Sequence, residues 1–262
     1  MPKSPTTERW QTAITLIEPG RIAYRGVPIE EVIESWSFPA TVWLLLQGEA
    51  PTPAQEDAIR RVLVAACDHG LAAPSIAAAR TVASTRGAPG VAMAAGLIAF
   101  SGPSHGGAAG ACAKLLREIA EAVDAGASPD DAAEAAVAER NARRERLPGF
   151  GHPYHPADPR VPGLLAASLP DHRHHDLVRA LEAAIVRAKG AALHMNADAA
   201  VAAVLLDAGL SITAIDLVTS IGRCVGLAAH VREEIETEAP FRAPSLTSIE
   251  YVGPARKVAE QK

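Results

Sequence analysis

The chain has 262 residues, which is long enough to bury a sizeable core in one domain or two. Hydrophobic residues make up 48% of it and aromatic residues only 4%, and alanine, the best helix former, is frequent, so the composition favours an α-rich protein. The net charge of −5 argues against a nucleic-acid surface, because phosphate binding needs an excess of Lys and Arg.

Helix signals follow one another along the chain, whereas strand formers are scattered without sustained alternation. The first two predicted helices cover residues 28–34, opened by a proline, and residues 39–47, ended by Gly48. Further helices are predicted after the caps Thr52-Pro53 and Ser128-Pro129, along an apolar stripe over residues 177–188, and over the apolar segment 215–231.

Residues rich in glycine and proline interrupt these helices at 102–107, 147–162 and 239–244. The second interruption is the longest, and it carries His152, His155, Asp158 and Arg160. Loops with such polar content often carry function.

Targeting signals are not evident in the sequence. No apolar run reaches the roughly 20 residues of a membrane helix, and the polar start, residues 1–11, lacks the apolar core of a signal peptide. Cys67, Cys112 and Cys224 form no Cys-x-x-Cys pair and are interpreted as buried thiols. We therefore expect a cytoplasmic protein that contacts neither membrane nor nucleic acid.

Four short segments place a polar side chain where chemistry is plausible, and each also has a simple structural explanation. His105 lies between glycines, but it could be incidental to a helix-start turn. His152 lies in a glycine-rich loop that could be merely irregular. Asp198 follows Asn196 before an apolar run, where either residue could simply cap a helix. Arg223 lies in an apolar helix and needs an anionic partner, which could be a protein carboxylate or a substrate carboxylate.

Together with neighbouring motifs, these segments occur in a characteristic order. The motifs are Tyr24-Arg25-Gly26-Val27-Pro28, Leu44-Leu45-Leu46-Gln47-Gly48, Asp68-His69-Gly70, His105-Gly106-Gly107-Ala108, Gly149-Phe150-Gly151-His152, Asp158-Pro159-Arg160, Asn196-Ala197-Asp198, Gly222-Arg223, Ala229-His230 and Phe241-Arg242. Over residues 20–253 the chain resembles the citrate synthase superfamily. It resembles most of all the short citryl-CoA lyase branch, which includes the C-terminal module of ATP-citrate lyase.

The resemblance implies an all-α, citrate synthase-like fold. A large helical domain would comprise residues 1–107 and 209–262, a smaller one residues 108–208, and the active site would lie in the cleft between them. It also implies a homodimer with shared active sites, in which Arg242 reaches into the neighbouring subunit's site.

The resemblance also assigns roles to residues. In condensation Asp198 would remove the α-proton of a CoA thioester, His105 would donate a hydrogen bond to the enolate oxygen, and His152 would exchange a proton with the oxygen of the partner substrate. In cleavage the roles reverse. The carboxylates of an oxaloacetate- or citrate-type substrate would be held by His69, Arg160, Arg223 and Arg242.

Coenzyme A would enter only as part of the substrate, with no separate cofactor and no metal. The loop that would cradle it consists of Pro148, Gly149, Phe150 and Gly151. Arg143, Arg144 and Arg146 precede this loop and could meet the CoA phosphates, or they could form a solvated helix face.

Small residues favour the lyase branch. Ala72 follows the Asp68-His69-Gly70 motif where synthases usually carry Asn, and Ala199-Ala200 follow Asp198 where synthases commonly carry an aromatic pair. The predicted function is therefore citryl-CoA cleavage to acetyl-CoA and oxaloacetate. The alternative is a citrate or 2-methylcitrate synthase that condenses an acyl-CoA with oxaloacetate.

Two interpretations of other classes stay open at this stage. A non-catalytic CoA-thioester-binding subunit would keep the fold without turnover, although the intact set of two histidines and one aspartate argues against it. A zinc enzyme could draw ligands from five histidines, although a catalytic zinc needs three ligands on a rigid frame. These histidines are His152, His155, His172, His174 and His175.

Overall fold

The structure, a computed structural model, describes residues 10–189 and 193–254, and α-helices account for most of them. The helices are α1 (Ile29–Ser35), α2 (Phe38–Gln47), α3 (Pro53–Ala66), α4 (Pro74–Ala83), α5 (Pro89–Phe100), α6 (Ala108–Asp124), α7 (Pro129–Ala142), α8 (Val161–Leu165), α9 (Arg173–Lys189), α10 (Ala197–Asp207) and α11 (Ile212–Thr237). A 3-10 helix, Leu246–Ser248, follows in the C-terminal segment. The predicted helical class is confirmed.

The predicted division into residues 1–107 with 209–262 and residues 108–208 stays a prediction. The stretches 1–9, 190–192 and 255–262 of those two domains lie outside the described residues.

A small antiparallel sheet precedes the first helix, and the sequence analysis did not predict it. Its strands β1 (Thr15–Glu18), β2 (Arg21–Tyr24) and β3 (Val27–Pro28) pair in chain order. Arg25 and Gly26 both have positive φ, 50° and 89°, as the tight turn between β2 and β3 requires. Strands of two to four residues are too short to show the alternation by which a strand is recognised.

Capping residues begin and end the helices where the sequence predicts. Thr52 forms a capping box with Gln55 at the start of α3, and the side chain of Ser128 accepts a hydrogen bond from the Asp131 N–H at the start of α7. Gly48 ends α2 in the left-handed conformation, with φ of 92°. These helices therefore follow from local sequence alone.

The main hydrophobic core is built around α10, which packs against α6, α8 and α9. Alanine occupies most of its buried positions, so neighbouring helices can approach closely around it. A second cluster joins α4 and α5 to the C-terminal half of α11, through Ile76, Leu227 and Val231 among others. Helix α11 thus contributes to both clusters and holds them together.

Helix α11 has the length and hydropathy of a membrane-spanning helix. Asp216 and Arg223 interrupt its apolar run, and it packs against α3, α4, α5 and α6. It also buries Arg223 and Glu234. These are the features of a core helix in a globular protein.

Candidate active site

The predicted site residues come together in one cleft of about 730 Å³. That volume lies in the usual range for small-molecule sites, roughly 300–1,000 Å³. Of the predicted residues, those that line the cleft are His69, His105, Pro148, Gly149, Phe150, Gly151, His152, Arg160, Asp198 and Arg223. Residues distant along the chain therefore converge as the resemblance implies, with Arg242 as the exception.

His105 lies in the turn between α5 and α6. The turn packs tightly, since a Cβ atom on Gly106 would lie 2.4 Å from ring atoms of Phe100. The Nε2 atom of His105 is 2.8 Å from the hydroxyl of Ser75, a fully buried residue at the start of α4. A hydroxyl that donates to Nε2 leaves the imidazole proton on Nδ1. Burial, aided by nearby Arg223 and His69, lowers the pKa of His105 to about 4, so the ring is a neutral donor.

His152 lies in the long loop between α7 and α8. Its Nδ1 atom accepts hydrogen bonds from the backbone N–H groups of Tyr154 and His155, both at 3.1 Å. Because Nδ1 accepts, the proton of the neutral ring lies on Nε2, which is 3.1 Å from Nε2 of His69. Burial lowers the pKa of His152. His152 is therefore a neutral ring with a proton available at Nε2.

His69 projects from the turn that follows α3. The carboxylate of Asp68 accepts a hydrogen bond from the Gly70 N–H at 3.1 Å and lies 3.2 Å from Nε2 of His230. Helix α11 passes close to this turn, because a Cβ atom on Gly226 would lie 2.0 Å from the carbonyl oxygen of Cys67. Burial, with Arg160 and His152 nearby, lowers the pKa of His69. The turn presents His69 to His152 as a third neutral imidazole.

Asp198 lies half-buried in the first turn of α10. Asn196 is the N-cap of that helix and accepts from the backbone N–H of Asp198 at 2.9 Å. Because Asn196 caps the helix, the Asp198 carboxyl is free to line the cleft. Burial raises the pKa of Asp198 to about 6, although the positive charge of Arg160 opposes the shift. A carboxylate with such a pKa suits a general base near neutral pH.

Two arginines supply positive charge to the cleft. Arg160 makes a two-point ion pair with Asp158, with nitrogen–oxygen distances of 3.0 and 2.7 Å, and a backbone N–H at the start of α10 donates to the same carboxylate. Arg223 is only 4% exposed and stacks on the ring of Phe100 at 4.9 Å. Its Nε and Nη1 atoms have no hydrogen-bond partner within residues 10–189 and 193–254. A buried guanidinium in this state calls for an anionic ligand.

The loop that carries His152 is docked onto the segment before Asp198. Phe150 and Met195 form an antiparallel bridge, and the N–H of Gly151 donates to the carbonyl of His194 at 2.8 Å. Gly149 has φ of +82°, and a Cβ atom there would lie 2.8 Å from the Cβ of Ala199. The close approach thus depends on glycine at position 149.

We expect the substitution Gly149→Ala to lift this loop from α10. The added methyl group meets Ala199 and also strains the backbone, so turnover should fall at least about tenfold, because small misplacements of catalytic groups are costly. Gly163→Ala is the matched control, since a Cβ atom there meets nothing within 4 Å. Steady-state kinetics of the two variants tests this, and equal activities would contradict it.

Arg242 lies outside the cleft. Its guanidinium binds the buried carboxylate of Glu234 at 2.9 and 2.7 Å, and Arg80 binds the same carboxylate at 2.6 Å. Its role in a neighbouring subunit stays a prediction. Of the arginines before the CoA loop, Arg146 lines the cleft and Arg143 pairs with Glu139.

Sequence reasoning assigned no role to Ser75 or Asp158, although both contact predicted site residues. Asp158 was part of a recognised motif, and its position two residues before Arg160 could have indicated the ion pair. No sequence signal connects Ser75 to a histidine thirty residues away.

The histidines of the zinc interpretation have other contacts. His174 binds Asp207 at 2.8 Å and His172 packs edge-on against His175, whereas His152 lines the cleft and His155 packs next to it. Within the described residues, no group of three or more His, Cys, Asp or Glu side chains is arranged to hold a metal ion.

The fold and cleft define a helical enzyme with acid–base groups beside an anion-binding pocket. The sequence pattern of the family described as citrate synthase, C-terminal domain, matches residues 6–61 and 49–244. The chain belongs to the citrate synthase family.

Three relatives illustrate its place in the family. Citryl-CoA lyase from Hydrogenobacter thermophilus is 34% identical, with a TM-score of 0.84 over 96% of this chain and 98% of that one. ATP citrate lyase from Methanosaeta concilii, solved with (3S)-citryl-CoA, has a TM-score of 0.80 over 97% of this chain and 43% of that one; at 20% identity it shows the fold alone. Citrate synthase from Haloferax volcanii is 30% identical over 83% of this chain and 57% of its own length. The chain spans about three fifths of the length of the curated synthases it matches.

Proposed function

We propose that this enzyme cleaves citryl-CoA to acetyl-CoA and oxaloacetate. The observation that carries the proposal is the alignment to a citryl-CoA lyase over 98% of that chain, against about three fifths of the curated synthases. Ala199 and Ala200, both fully buried behind Asp198, agree with the small residues expected of the lyase branch.

The cleft supports acid–base chemistry in either direction. In condensation, ionised Asp198 takes the α-proton, and the neutral ring of His105 donates a hydrogen bond to the enolate oxygen. His152 delivers its Nε2 proton to the oxaloacetate carbonyl, while the two backbone N–H groups at Nδ1 stabilise the charge left on the ring. Cleavage is the microscopic reverse, in which Asp198 returns the proton to carbon.

The positive charge of the cleft suits a carboxylate-rich substrate. Arg223 lines the cleft with two nitrogens that lack a hydrogen-bond partner in the described residues, and Arg160 lies beside it with 26% of its side chain exposed. The loop 148–151 would lie along the CoA portion. Coenzyme A then enters as part of the substrate, and no separate cofactor is needed.

A citrate or 2-methylcitrate synthase is the second candidate, because a citrate synthase is 30% identical to this chain. Incubation with citryl-CoA tests the proposal, and release of oxaloacetate with acetyl-CoA is the expected result. Release of citrate and free CoA instead, together with free CoA formed from acetyl-CoA and oxaloacetate, would identify a synthase. The cleavage assay repeated with 2-methylcitryl-CoA, and the condensation assay repeated with propionyl-CoA, show which acyl group the enzyme prefers.

The pH dependence of α-proton exchange tests the assignment of Asp198 without depending on direction. Only the ionised carboxyl accepts a proton, so exchange of acetyl-CoA hydrogens in D₂O, with malate present, should rise about tenfold per pH unit below the pKa and level off above it. The pKa of Asp198 is raised to about 6, which places the bend there. A bend near pH 4 would contradict a buried base. NMR of the acetyl methyl group measures the rate.

A further inference from the structure

We propose that Asn196 is a positioning residue that fixes His152 and Asp198 relative to one another. The inference rests on the proposed acid–base roles of those two side chains. It follows from the hydrogen bonds of one amide group, which connect the loop carrying His152 to the helix carrying Asp198.

The oxygen of the amide is used on the helix side. Oδ1 of Asn196 accepts from the backbone N–H of Asp198 at 2.9 Å and so caps α10. This bond fixes the first turn of α10, from which the Asp198 carboxyl projects into the cleft.

The nitrogen of the same amide is used on the loop side. Nδ2 donates to the carbonyl oxygen of Gly151 at 2.8 Å, and the backbone N–H of Asn196 donates to the carbonyl of Gly149 at 2.9 Å. The carbonyl of Gly151 belongs to the peptide bond that joins it to His152. The orientation of that peptide, and with it the start of the His152 side chain, is therefore set by Asn196.

An ordinary N-cap would not need this second bond. In the described part of the chain, four other α-helices are capped by hydroxyl side chains, those of Ser37, Thr52, Ser128 and Ser211. A hydroxyl satisfies the helix end as well as an amide does, because only an acceptor is required. The amide at position 196 adds an N–H donor at a longer reach. This donor connects the helix cap to the loop that carries His152.

The substitution Asn196→Ser separates the two functions, because serine keeps the cap acceptor and removes the donor to Gly151. We expect kcat to fall about 10- to 100-fold, as small misplacements of a catalytic group do, with little change in KM or melting temperature. Asn196→Ala removes both bonds and should also lower the melting temperature. Ser128→Ala, which removes the cap of α7, should lower the melting temperature and leave kcat unchanged.

Hydrogen exchange gives a readout that does not depend on the substrate. Backbone amides of the 149–155 segment should exchange faster in Asn196→Ser than in the parent, while those at the start of α10 stay protected. Asn196→Asp, which keeps the shape and the acceptor but cannot donate, should loosen the same segment. These exchange measurements can be interpreted even if the parent enzyme does not cleave citryl-CoA. That outcome would contradict the proposed function but not the positioning role of Asn196.

Two results would overturn the inference. One is an Asn196→Ser enzyme whose kcat is within about twofold of the parent, since a plain cap is then sufficient. The other is unchanged exchange of residues 149–155 in both the Ser and the Asp variants.

Discussion

Asp198→Asn should lower turnover of citryl-CoA by about 10²- to 10⁴-fold, the range that one general acid–base group contributes. The amide has the shape of the carboxyl but can neither take nor return the α-proton. Exchange of acetyl-CoA hydrogens should fall by a similar factor, because it uses the same proton transfer. Near-normal activity in both assays would refute the assignment of Asp198 as the base.

The same substitution should not destabilise the fold at neutral pH. The pKa of Asp198 is raised from 3.8 to about 6, so ionisation of this carboxyl opposes folding once the pH exceeds the unfolded value. The protonated carboxyl therefore contributes its full stability below about pH 4, and this contribution is lost as the pH rises to about 6. Removing the ionisable group should stabilise the protein at pH 8 by about 3 kcal/mol at most.

Asp216→Asn is the matched control for the loss of turnover and for the change in stability with pH. Asp216 also has a pKa raised by burial, but it does not line the cleft. Its substitution should change the pH dependence of stability in the same direction and leave turnover unchanged. Urea unfolding at pH 5 and pH 8, alongside kinetics, distinguishes loss of chemistry from loss of structure.

Local sequence predicted those parts of the fold that are decided locally. The N-caps Thr52 and Ser128 and the glycine at position 48 each act within one or two turns of the chain. The three-stranded sheet was missed, because its pairing depends on two tight turns and its strands are very short.

The candidate site was predicted by resemblance rather than by spacing. His105, His152 and Asp198 each had a simple structural explanation, and the convergence in one cleft is a property of the folded chain. For Asp198 the simple explanation was partly right, because Asn196 does cap the helix. The cap is compatible with the proposed catalytic role, because Asn196 caps the helix and leaves the Asp198 carboxyl at the cleft.

Arg223 and Arg242 lie in different surroundings. The sequence predicted that both bind substrate. In the structure Arg242 binds Glu234, whereas Arg223 has nitrogens without a partner in the described residues.

Arg223→Met should weaken binding of oxaloacetate by about 10²- to 10⁴-fold, the factor that corresponds to the roughly 3–5 kcal/mol lost when one partner of a buried ion pair is removed. Methionine fills similar space along the helix but has no charge to offer a carboxylate. The KM for the carboxylate substrate should rise. The same substrate should no longer raise the melting temperature of the variant as it does that of the parent.

In the absence of substrate the same variant should be more stable than the parent. Burial lowers the pKa of Arg223, which means that the environment opposes its charge. Arg80→Met is the matched control, because Arg80 is equally buried, at 4% exposure, but is paired with Glu234. Breaking that pair leaves a buried carboxylate with one partner fewer, so this variant should lose stability. Melting temperatures that fall alike in both variants would mean that Arg223 is satisfied within the protein.

Asp198 and Arg223 thus share one physical property. Each lines the cleft, where burial disfavours its charged form, so we expect each to oppose folding in the unliganded protein. A residue kept only for structure should show the opposite sign, as we expect of Arg80, which is paired with Glu234. If both substitutions stabilise the unliganded protein, while Asp198→Asn lowers turnover and Arg223→Met raises KM for the carboxylate substrate, the cleft is organised for proton transfer on an anionic substrate.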